Sequence, residues 1–179
     1  MTHVVLTGFM AVGKTAVGKR LARKLDRSFI DTDHVIEQRA GMPVARIFEK
    51  RGEAAFRTLE REVVAGLDAD PPAVIATGGG TFVDARNQDR LHELGIVVCL
   101  VTSLETVLER AGRGTKRPLA AGASREKLES LYNERMEAYR RADVLVETDG
   151  LSVEQSVGRV LKMIGPRLRS DAATERGVS

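Results

Sequence analysis

The stretch GFMAVGKT, residues 8–15, directly follows the apolar run HVVLT at residues 3–7. It matches the pattern G-x-x-x-x-G-K-[ST], with a strand pattern before it and an amphipathic helical pattern after it. Glycines let the backbone curl so that several N–H groups point inward, and the helix N-terminus adds the positive end of its dipole. The stretch therefore predicts a loop that holds phosphate groups, called the phosphate loop below.

The last two residues of the phosphate loop have separate predicted tasks. Lys14 is placed to reach the outer phosphates of a nucleotide, and the hydroxyl of Thr15 is placed to bind Mg²⁺. The pattern therefore predicts ATP and Mg²⁺ as cofactors. It leaves open whether water, a protein, a nucleotide or a small metabolite receives the phosphoryl group.

Five short apolar runs rich in valine and isoleucine are separated by stretches with helical periodicity. Such an alternation is typical of an α/β fold in which helices cover both faces of a parallel sheet. A chain of 179 residues suits one domain. The predicted strands are residues 3–7, 28–30, 73–76, 96–101 and 144–146.

The composition argues against several functional classes. No apolar run approaches the roughly 20 residues that a membrane span requires, and the N-terminus has no pattern of an export signal. The net charge is +3, but acidic residues interleave with the basic ones and aromatic residues make up only 4%. We therefore expect no nucleic-acid partner. The single cysteine, Cys99, lies in a strand pattern, and the chain is expected to be cytoplasmic.

Two segments interrupt the alternation of strands and helices. Residues 31–70 are mostly helical in pattern, and the segment is longer than a single crossover between two parallel strands requires. Pro43 marks a helix start in it, and Gly52 marks a bend. Residues 111–124 contain three glycines, a proline and three cations with few large apolar side chains, which is typical of a mobile loop that closes as a lid. Residues after Gly165 are polar and are expected to form a flexible tail.

The segment FIDTD, residues 29–33, ends a predicted strand with two acids. Open parallel sheets bind their ligands at the carboxyl ends of the strands. This placement predicts that Asp31 contacts the water shell of Mg²⁺ and that Asp33 accepts a substrate hydroxyl, with a role as base left open. An alternative is that one acid caps the following helix.

Three consecutive glycines, Gly78, Gly79 and Gly80, follow the third predicted strand. A tight turn needs only one or two glycines, so this triglycine segment leaves bare backbone near the ligand crevice. It suits a molecule that rests on peptide N–H groups, although a plain turn is an alternative.

Two arginines lie on or beside the apolar faces of predicted helices. Arg57 flanks a buried face, and Arg135 lies near the middle of a face formed by Leu128, Leu131, Tyr132 and Tyr139. A buried guanidinium needs an anion. It either pairs with an acid of the protein, extends to solvent, or binds a ligand carboxylate. Together with the two acids and the triglycine segment, the arginines suggest a small polyhydroxylated carboxylic acid as the acceptor.

Arg117 differs from Arg57 and Arg135 in position, because it lies in the predicted lid and not on a helix. Its cation is placed to reach the transferring phosphoryl group when the loop closes. Closure also excludes water, which protects ATP from hydrolysis. The alternative is an ordinary exposed charge.

In this order, these motifs resemble the shikimate kinase family, in the nucleoside-monophosphate-kinase-like branch of P-loop proteins. The resemblance covers about residues 4–164 and rests on GFM-x-x-GKT, DTD at 31–33, FR at 56–57, GGG at 78–80, RPL at 117–119, and Arg135 followed by Tyr139. It implies a three-layer fold with a five-stranded parallel sheet of order 2-3-1-4-5. It further implies one kinase domain over residues 1–165, a substrate-binding region at about 31–62, a lid at about 112–124, and a tail at 166–179.

The resemblance also implies the reaction, transfer of the ATP γ-phosphoryl group to the 3-hydroxyl of shikimate on the route to chorismate and the aromatic amino acids. It implies catalytic roles for Lys14, Asp33 and Arg117, and a monomer as the working form. The residues expected to hold shikimate are Asp33, Arg57, Gly78, Gly79, Gly80 and Arg135. The residues expected to hold ATP are Ala11, Val12, Gly13, Lys14, Thr15, Ala16, Arg110, which resembles the residue that packs on adenine, and Arg117. Thr15 and Asp31 are expected to serve the metal.

The chain departs from the family pattern at three positions. Ala11 replaces a usual third glycine, Ala16 replaces a threonine, and Ala120 replaces a second leucine in the lid. These departures bear on ATP affinity and lid motion rather than on the reaction class. Two alternatives remain, a kinase of the same fold for gluconate or another sugar acid, and a nucleotide-dependent switch or hydrolase.

Overall fold

The computed structural model describes residues 2–112 and 124–176. Strands and helices alternate along the chain, as the apolar pattern predicts. Their order is β1 (His3–Thr7), α1 (Lys14–Leu25), β2 (Ser28–Asp31), α2 (Thr32–Ala40), α3 (Val44–Ala65), β3 (Ala73–Ala76), a 3-10 helix (Thr81–Val83), α4 (Ala85–Leu94), β4 (Gly95–Val101), α5 (Leu104–Gly112), α6 (Arg125–Tyr139), β5 (Val144–Glu147) and α7 (Val153–Arg176).

The five strands form one parallel sheet in the order β2-β3-β1-β4-β5, which confirms the predicted topology. Every residue of β1 and β3 is buried. Since alternate side chains of a strand point to opposite faces, helices must cover both faces of the sheet. All five strands point the same way, so their carboxyl ends meet at one edge, where the phosphate loop, Asp31 and the triglycine segment begin.

The segment between β2 and β3 forms a small second core. The side chains of Ile36, Ile47, Phe56 and Val63 pack together on α2 and α3, apart from the main core. Helix α3 begins directly after Pro43, and Gly52 interrupts it with φ 79° and ψ 172°. Both features confirm the prediction from the sequence. This substructure presents α3 to the carboxyl edge of the sheet.

The end of the chain differs from the prediction of a flexible tail. Helix α7 does not end near residue 165 but continues through Pro166 to Arg176. Its continuation retains contacts with the rest of the protein, because Leu168 packs against the main core and Arg167 lies 3.2 Å from a carboxylate oxygen of Asp143. Packing of this kind outweighs the local cost of one proline.

The predicted lid lies outside the described residues, apart from its two end positions. Residues 177–179 of the predicted tail also lie outside them. Within the part of the chain that the structure describes, no helix is long and apolar enough to cross a bilayer.

Candidate active site

The phosphate loop connects β1 to α1 by backbone conformations that favour glycine. Gly8 has φ 130° and Gly13 has φ 96°. A Cβ atom at Gly8 would lie 2.3 Å from the carbonyl oxygen of Leu100, so that residue 8 requires glycine for space as well as for conformation. Ala11 also has a positive φ, 66°, in the left-handed region that costs an L-residue about 1 kcal/mol. The structure thus places the methyl group that distinguishes this loop from the family pattern at a strained position.

Two cations contact the backbone of the phosphate loop. Lys14 donates from Nζ to the carbonyl oxygens of Gly8, at 2.7 Å, and Phe9, at 2.9 Å. Arg110, at the end of α5, donates from Nη1 to the carbonyl oxygen of Ala11 at 3.2 Å. Both positive charges therefore lie beside the loop that the sequence predicts to hold phosphates.

The predicted metal residues are adjacent. Thr15 donates from Oγ1 to Oδ2 of Asp31 at 2.9 Å. Both are oxygen donors, which Mg²⁺ prefers, and Mg²⁺ bound with a nucleotide takes its other ligands from phosphate and water. Within the described residues no group of three or more His, Cys, Asp or Glu side chains could hold a metal ion by itself. The donor set therefore fits a metal that arrives with the nucleotide.

A cleft of about 450 Å³ opens between the phosphate loop, α3, α6 and the triglycine segment. Its size is typical of a small-molecule site. The structure brings together most of the predicted site residues on its walls, namely Ala11, Gly13, Lys14, Thr15, Ala16, Asp31, Asp33, Arg57, Gly78, Gly79, Gly80 and Arg135. Val12 is instead buried in the main core, and Arg110 lies at the loop but not on these walls. Arg117 lies outside the described residues.

Three charged side chains converge on the triglycine segment, residues 78–80, which explains why it contains no side chains. A Cβ atom would lie 2.6 Å from Oδ1 of Asp33 at residue 78, 3.5 Å from Nη1 of Arg135 at residue 79 and 2.4 Å from Nη1 of Arg57 at residue 80. The shortest of these distances is below any ordinary contact. Glycine at residues 78 and 80 therefore leaves room for Asp33 and Arg57 beside the backbone, whereas the distance at residue 79 is an ordinary contact.

Arg135 is buried, as the helical pattern predicts, with 5% of its surface exposed. Its guanidinium lies over the ring of Phe9, 5.5 Å from the centroid, and Nη1 donates to the carbonyl oxygen of Gly79 at 3.1 Å. Among the described residues no acid forms an ion pair with it. Its partners are a carbonyl, an aromatic ring and the hydroxyl of Tyr139, none of which carries a negative charge. Burial of a charge without a counter-charge is costly, so this guanidinium is suited to bind an anion from outside the chain.

Tyr139 reinforces the same contact one helical turn later. Its buried hydroxyl donates to the carbonyl oxygen of Gly79 at 2.5 Å, and burial raises the pKa of Tyr139, which keeps the hydroxyl a donor. Two donors on α6 therefore fix one peptide of the triglycine segment.

Arg57 takes the first of the three alternatives for a buried guanidinium, because it pairs with acids of the chain. Its Nη1 lies 2.5 Å from Glu60 Oε2, and its Nη2 lies 2.8 Å from Glu53 Oε1. Burial alone would lower the pKa of Arg57, but the ion pairs with Glu60 and Glu53 raise it. Arg57 pairs with Glu53 and Glu60 because residues three and four positions apart share one side of a helix.

Glu60 is the functional residue that sequence reasoning missed. Its side chain is 1% exposed, and it accepts from Arg57 and, at 2.6 Å, from the hydroxyl of Thr81. The signal was present in the sequence, because residue 60 lies between Phe56 and Val63 on the apolar face of α3. An acid on a buried face needs a cation. Further wall residues to which the sequence analysis gave no role are Glu37, Val44, Phe48 and Thr77, and Met10 and Phe56 of the family motifs also lie on the walls.

Asp33 is the strongest candidate to accept a hydroxyl. Its Oδ1 atom is buried and has no hydrogen-bond partner among the described residues. Burial raises the pKa of Asp33 to about 6, and the charges of Asp31 and Glu60 add to the rise. A carboxylate with one unused buried oxygen binds a donor from a ligand favourably. The capping alternative applies to Asp31 instead, whose Oδ1 accepts from the backbone N–H of Asp33 at 3.2 Å.

Replacing Glu60 by alanine is expected to lower the free energy of unfolding by about 3 kcal/mol, since loss of one partner of a buried ion pair leaves the other uncompensated. Arg57 and Thr81 would both lose a partner. Urea unfolding at neutral pH measures the change. The matched control is Glu62→Ala, an exposed position on the same helix, for which we expect a change within about 0.5 kcal/mol. Equal small changes in both variants would contradict a structural role for Glu60.

Comparison with known proteins agrees with this geometry. A family model described as shikimate kinase matches residues 10–165. The shikimate kinase of Thermodesulfovibrio yellowstonii is 39% identical over 163 residues, which cover 90% of this chain and 94% of that protein. The structure of shikimate kinase from Acinetobacter baumannii in complex with shikimate is 38% identical, with a TM-score of 0.87 over 93% of this chain and 94% of that one.

A gluconokinase from Sinorhizobium meliloti is similar in fold alone. Its TM-score is 0.62 at 18% identity, over 97% of both chains. The likeness supports the fold and carries no information about the acceptor.

Proposed function

The chain belongs to the shikimate kinase family, and we propose that it transfers the γ-phosphoryl group of ATP to the 3-hydroxyl of shikimate, forming ADP and shikimate 3-phosphate. The observation that carries this proposal is the pairing of two unsatisfied groups across the triglycine segment. The Arg135 guanidinium is buried without an acid partner, and the Asp33 carboxylate has an unpartnered buried oxygen. A small acid with hydroxyl groups satisfies both.

In the acceptor subsite, the chain binds the two ends of the substrate differently. Arg57 and Arg135 hold the carboxylate, and the triglycine segment offers backbone N–H groups beside it. Asp33 accepts the hydrogen bond of the hydroxyl that is phosphorylated. Orientation of that hydroxyl toward the phosphate loop supplies most of what the chain contributes, because the loose transition state of phosphoryl transfer needs little assistance from a base.

In the nucleotide subsite, residues 11–16 hold the phosphates of ATP, and Lys14 exchanges its backbone carbonyls for phosphate oxygens. Arg110 packs on the adenine. Thr15 and Asp31 hold Mg²⁺, which when bound neutralises charge on the phosphates. The role of Arg117 as a cation delivered by the lid rests on the sequence, since that residue lies outside the described part of the chain.

The organisation of the chain completes the proposal. The kinase domain comprises residues 1–165 and the continuation of α7, which packs on the same core through Leu168. Within it, residues at about 31–62 bind the substrate and residues at about 112–124 close over it. The enzyme acts as a monomer in the cytoplasm without a nucleic-acid partner. The exposed large apolar side chains of the described residues support this form, because they are few and each is only 38–43% exposed, namely Val83, Leu145, Val153 and Met163.

The test is ADP release from ATP and Mg²⁺ with shikimate, with gluconate and with no acceptor. We expect shikimate to stimulate ADP release at least about 100-fold over the reaction without acceptor, since enzymes of this class typically turn over at about 1–100 per second. Stimulation by gluconate alone would assign a different acceptor. Release that is independent of any acceptor would identify a hydrolase.

A further inference from the structure

Glu53 contacts the acceptor arginine but has no place in the proposed reaction. We propose that Glu53 occupies Arg57 in the ligand-free enzyme and competes with the carboxylate of the acceptor for it. This inference rests on the proposed function. It makes Glu53 a residue that limits affinity and selects acceptors that carry a negative charge.

Each nitrogen atom of the Arg57 guanidinium donates to an acid of the chain. Nε and Nη2 both donate to Oε1 of Glu53, at 3.2 Å and 2.8 Å, and Nη1 donates to Oε2 of Glu60 at 2.5 Å. Glu53 therefore covers the edge formed by Nε and Nη2, which is one of the two edges that a carboxylate grips with two hydrogen bonds.

The two acids differ in how firmly they are held. The side chain of Glu60 is 1% exposed and also accepts from Thr81, so it remains in place. The side chain of Glu53 is 55% exposed, and its hydrogen bonds in the described part of the chain are those to Arg57. An exposed ion pair between residues four apart on a helix favours the paired over the solvated side chain by only about twofold. Glu53 can therefore turn into solvent at little cost.

The charge around the cleft favours the exchange of Glu53 for the acceptor carboxylate at Arg57. Among the described residues, the charged side chains on its walls are four acids and three bases, namely Asp31, Asp33, Glu37, Glu60, Lys14, Arg57 and Arg135. Glu53 adds a further negative charge at Arg57. An anionic acceptor that enters this surplus of negative charge gains when Glu53 departs, because Arg57 then has one carboxylate fewer beside it.

The same exchange discriminates between acceptors. A carboxylate replaces the bonds that Arg57 loses when Glu53 leaves. An uncharged ester of the same acid has no charge with which to compete, and Glu53 stays in place when it binds. Removing the charge of Glu53 should therefore help the acid and leave the ester unaffected.

The experiment compares wild type, Glu53→Gln and Glu49→Gln in steady-state phosphorylation of shikimate and of its methyl ester. Glu49 is the matched control, because it lies on the same helix, is 63% exposed and pairs with Arg46. For Glu53→Gln we expect the KM for shikimate to fall about twofold with kcat unchanged, and kcat/KM for the ester to stay the same. Glu49→Gln should match wild type with both acceptors.

The outcomes separate the inference from the function on which it rests. A wild-type enzyme that does not phosphorylate shikimate would overturn the proposed function. If wild type does phosphorylate shikimate, an unchanged KM in Glu53→Gln would overturn the inference. A raised KM would also overturn it and would identify Glu53 as a residue that orients Arg57. An equal gain for acid and ester, or an equal gain in Glu49→Gln, would also overturn it.

Discussion

Replacing Arg135 by alanine is expected to raise the Kd for shikimate about 100-fold, and to change the Kd for the magnesium complex of ADP by less than about threefold. A charge-assisted hydrogen bond contributes about 1.5–3 kcal/mol, and each 1.4 kcal/mol corresponds to a factor of about ten in affinity. The selectivity follows from the hydrogen bond of Arg135, which goes to Gly79 of the triglycine segment. Its contact with the phosphate loop is with the ring of Phe9 and not with the backbone N–H groups that hold phosphates.

Isothermal titration of each ligand measures both affinities in the Arg135→Ala variant. Arg140→Ala is the matched control, because Arg140 follows the same helix, pairs with Glu137 and is 70% exposed. Its affinities for both ligands should equal those of wild type. If Arg135→Ala loses affinity for shikimate and ADP to the same extent, the side chain supports α6 rather than binding the acceptor. Arg135→Lys should give an intermediate Kd, since it retains the charge without the planar fork.

The sheet and the phosphate loop could be predicted because they depend on patterns that are local in the sequence. Runs of valine and isoleucine report burial on both faces of a strand, and the spacing of Gly8, Gly13 and Lys14 reports a backbone conformation within eight residues. The convergence of Asp33 with the triglycine segment was also predictable in outline, since carboxyl ends of parallel strands meet at one edge. The distances in the cleft follow from that topology.

The pairing of Arg57 could not be predicted in the same way. The spacing of residues 53, 57 and 60 permits an ion pair on either side of the arginine, but it does not say which pairs form. The outcome depends on the second small core, which buries Glu60, and on Thr81, which is distant in the sequence and donates to the same carboxylate. A helical wheel that marked the buried acid would have found Glu60. It would not have found that Glu53 reaches the same guanidinium.

The end of α7 shows a different limit. A proline and a polar composition argue locally against a helix beyond residue 165, and the prediction of a flexible tail followed that argument. The structure continues the helix because Leu168 reaches the main core and Arg167 reaches Asp143. Tertiary contacts of single side chains therefore determine where α7 ends. Helix propensity alone predicts an end that is too early in the sequence.

Arg135 and Asp33, the two charged groups that would bind the acceptor in the proposed function, have opposite charges, and this predicts a site that selects the orientation of the acceptor. Arg135 attracts a negative group, and Asp33, with Asp31 and Glu60 nearby, repels one. An acceptor must therefore present its carboxylate to α6 and its hydroxyl groups to Asp33, and the reverse orientation would place two carboxylates together. The charge pattern thus orients the substrate before any phosphoryl group is transferred.

Replacing Asp33 by asparagine is expected to lower kcat about 100-fold and, at neutral pH, to raise the free energy of unfolding by about 2 kcal/mol. The amide accepts the hydrogen bond of the hydroxyl more weakly than a carboxylate does, so the hydroxyl is oriented less well toward the phosphate loop. Its gain in stability has a separate origin, because the variant no longer holds a buried negative charge beside Asp31 and Glu60. Activity and stability should therefore change in opposite directions, as is common at functional sites.

The pH dependence tests both halves of this prediction. The pKa of Asp33 is raised to about 6 in the folded chain, so ionisation there opposes folding. Wild type should therefore lose stability relative to Asp33→Asn as the pH rises from about 4 to about 6, with a constant difference above that range. For wild type, kcat/KM for shikimate should fall on the acid side with a midpoint near pH 6, because this ratio reports groups of the free enzyme.

Urea unfolding of both proteins at three pH values, about 4.5, 5.5 and 7.5, measures the change in the stability difference, which should grow as the carboxylate ionises. The control is Asp89→Asn, an exposed position on α4, which should follow wild type in stability and in kcat at every pH. A stability difference that does not vary with pH would mean that Asp33 is not the group that resists ionisation. An Asp33→Asn enzyme with normal kcat would leave the hydroxyl to be oriented by the triglycine segment and the arginines alone.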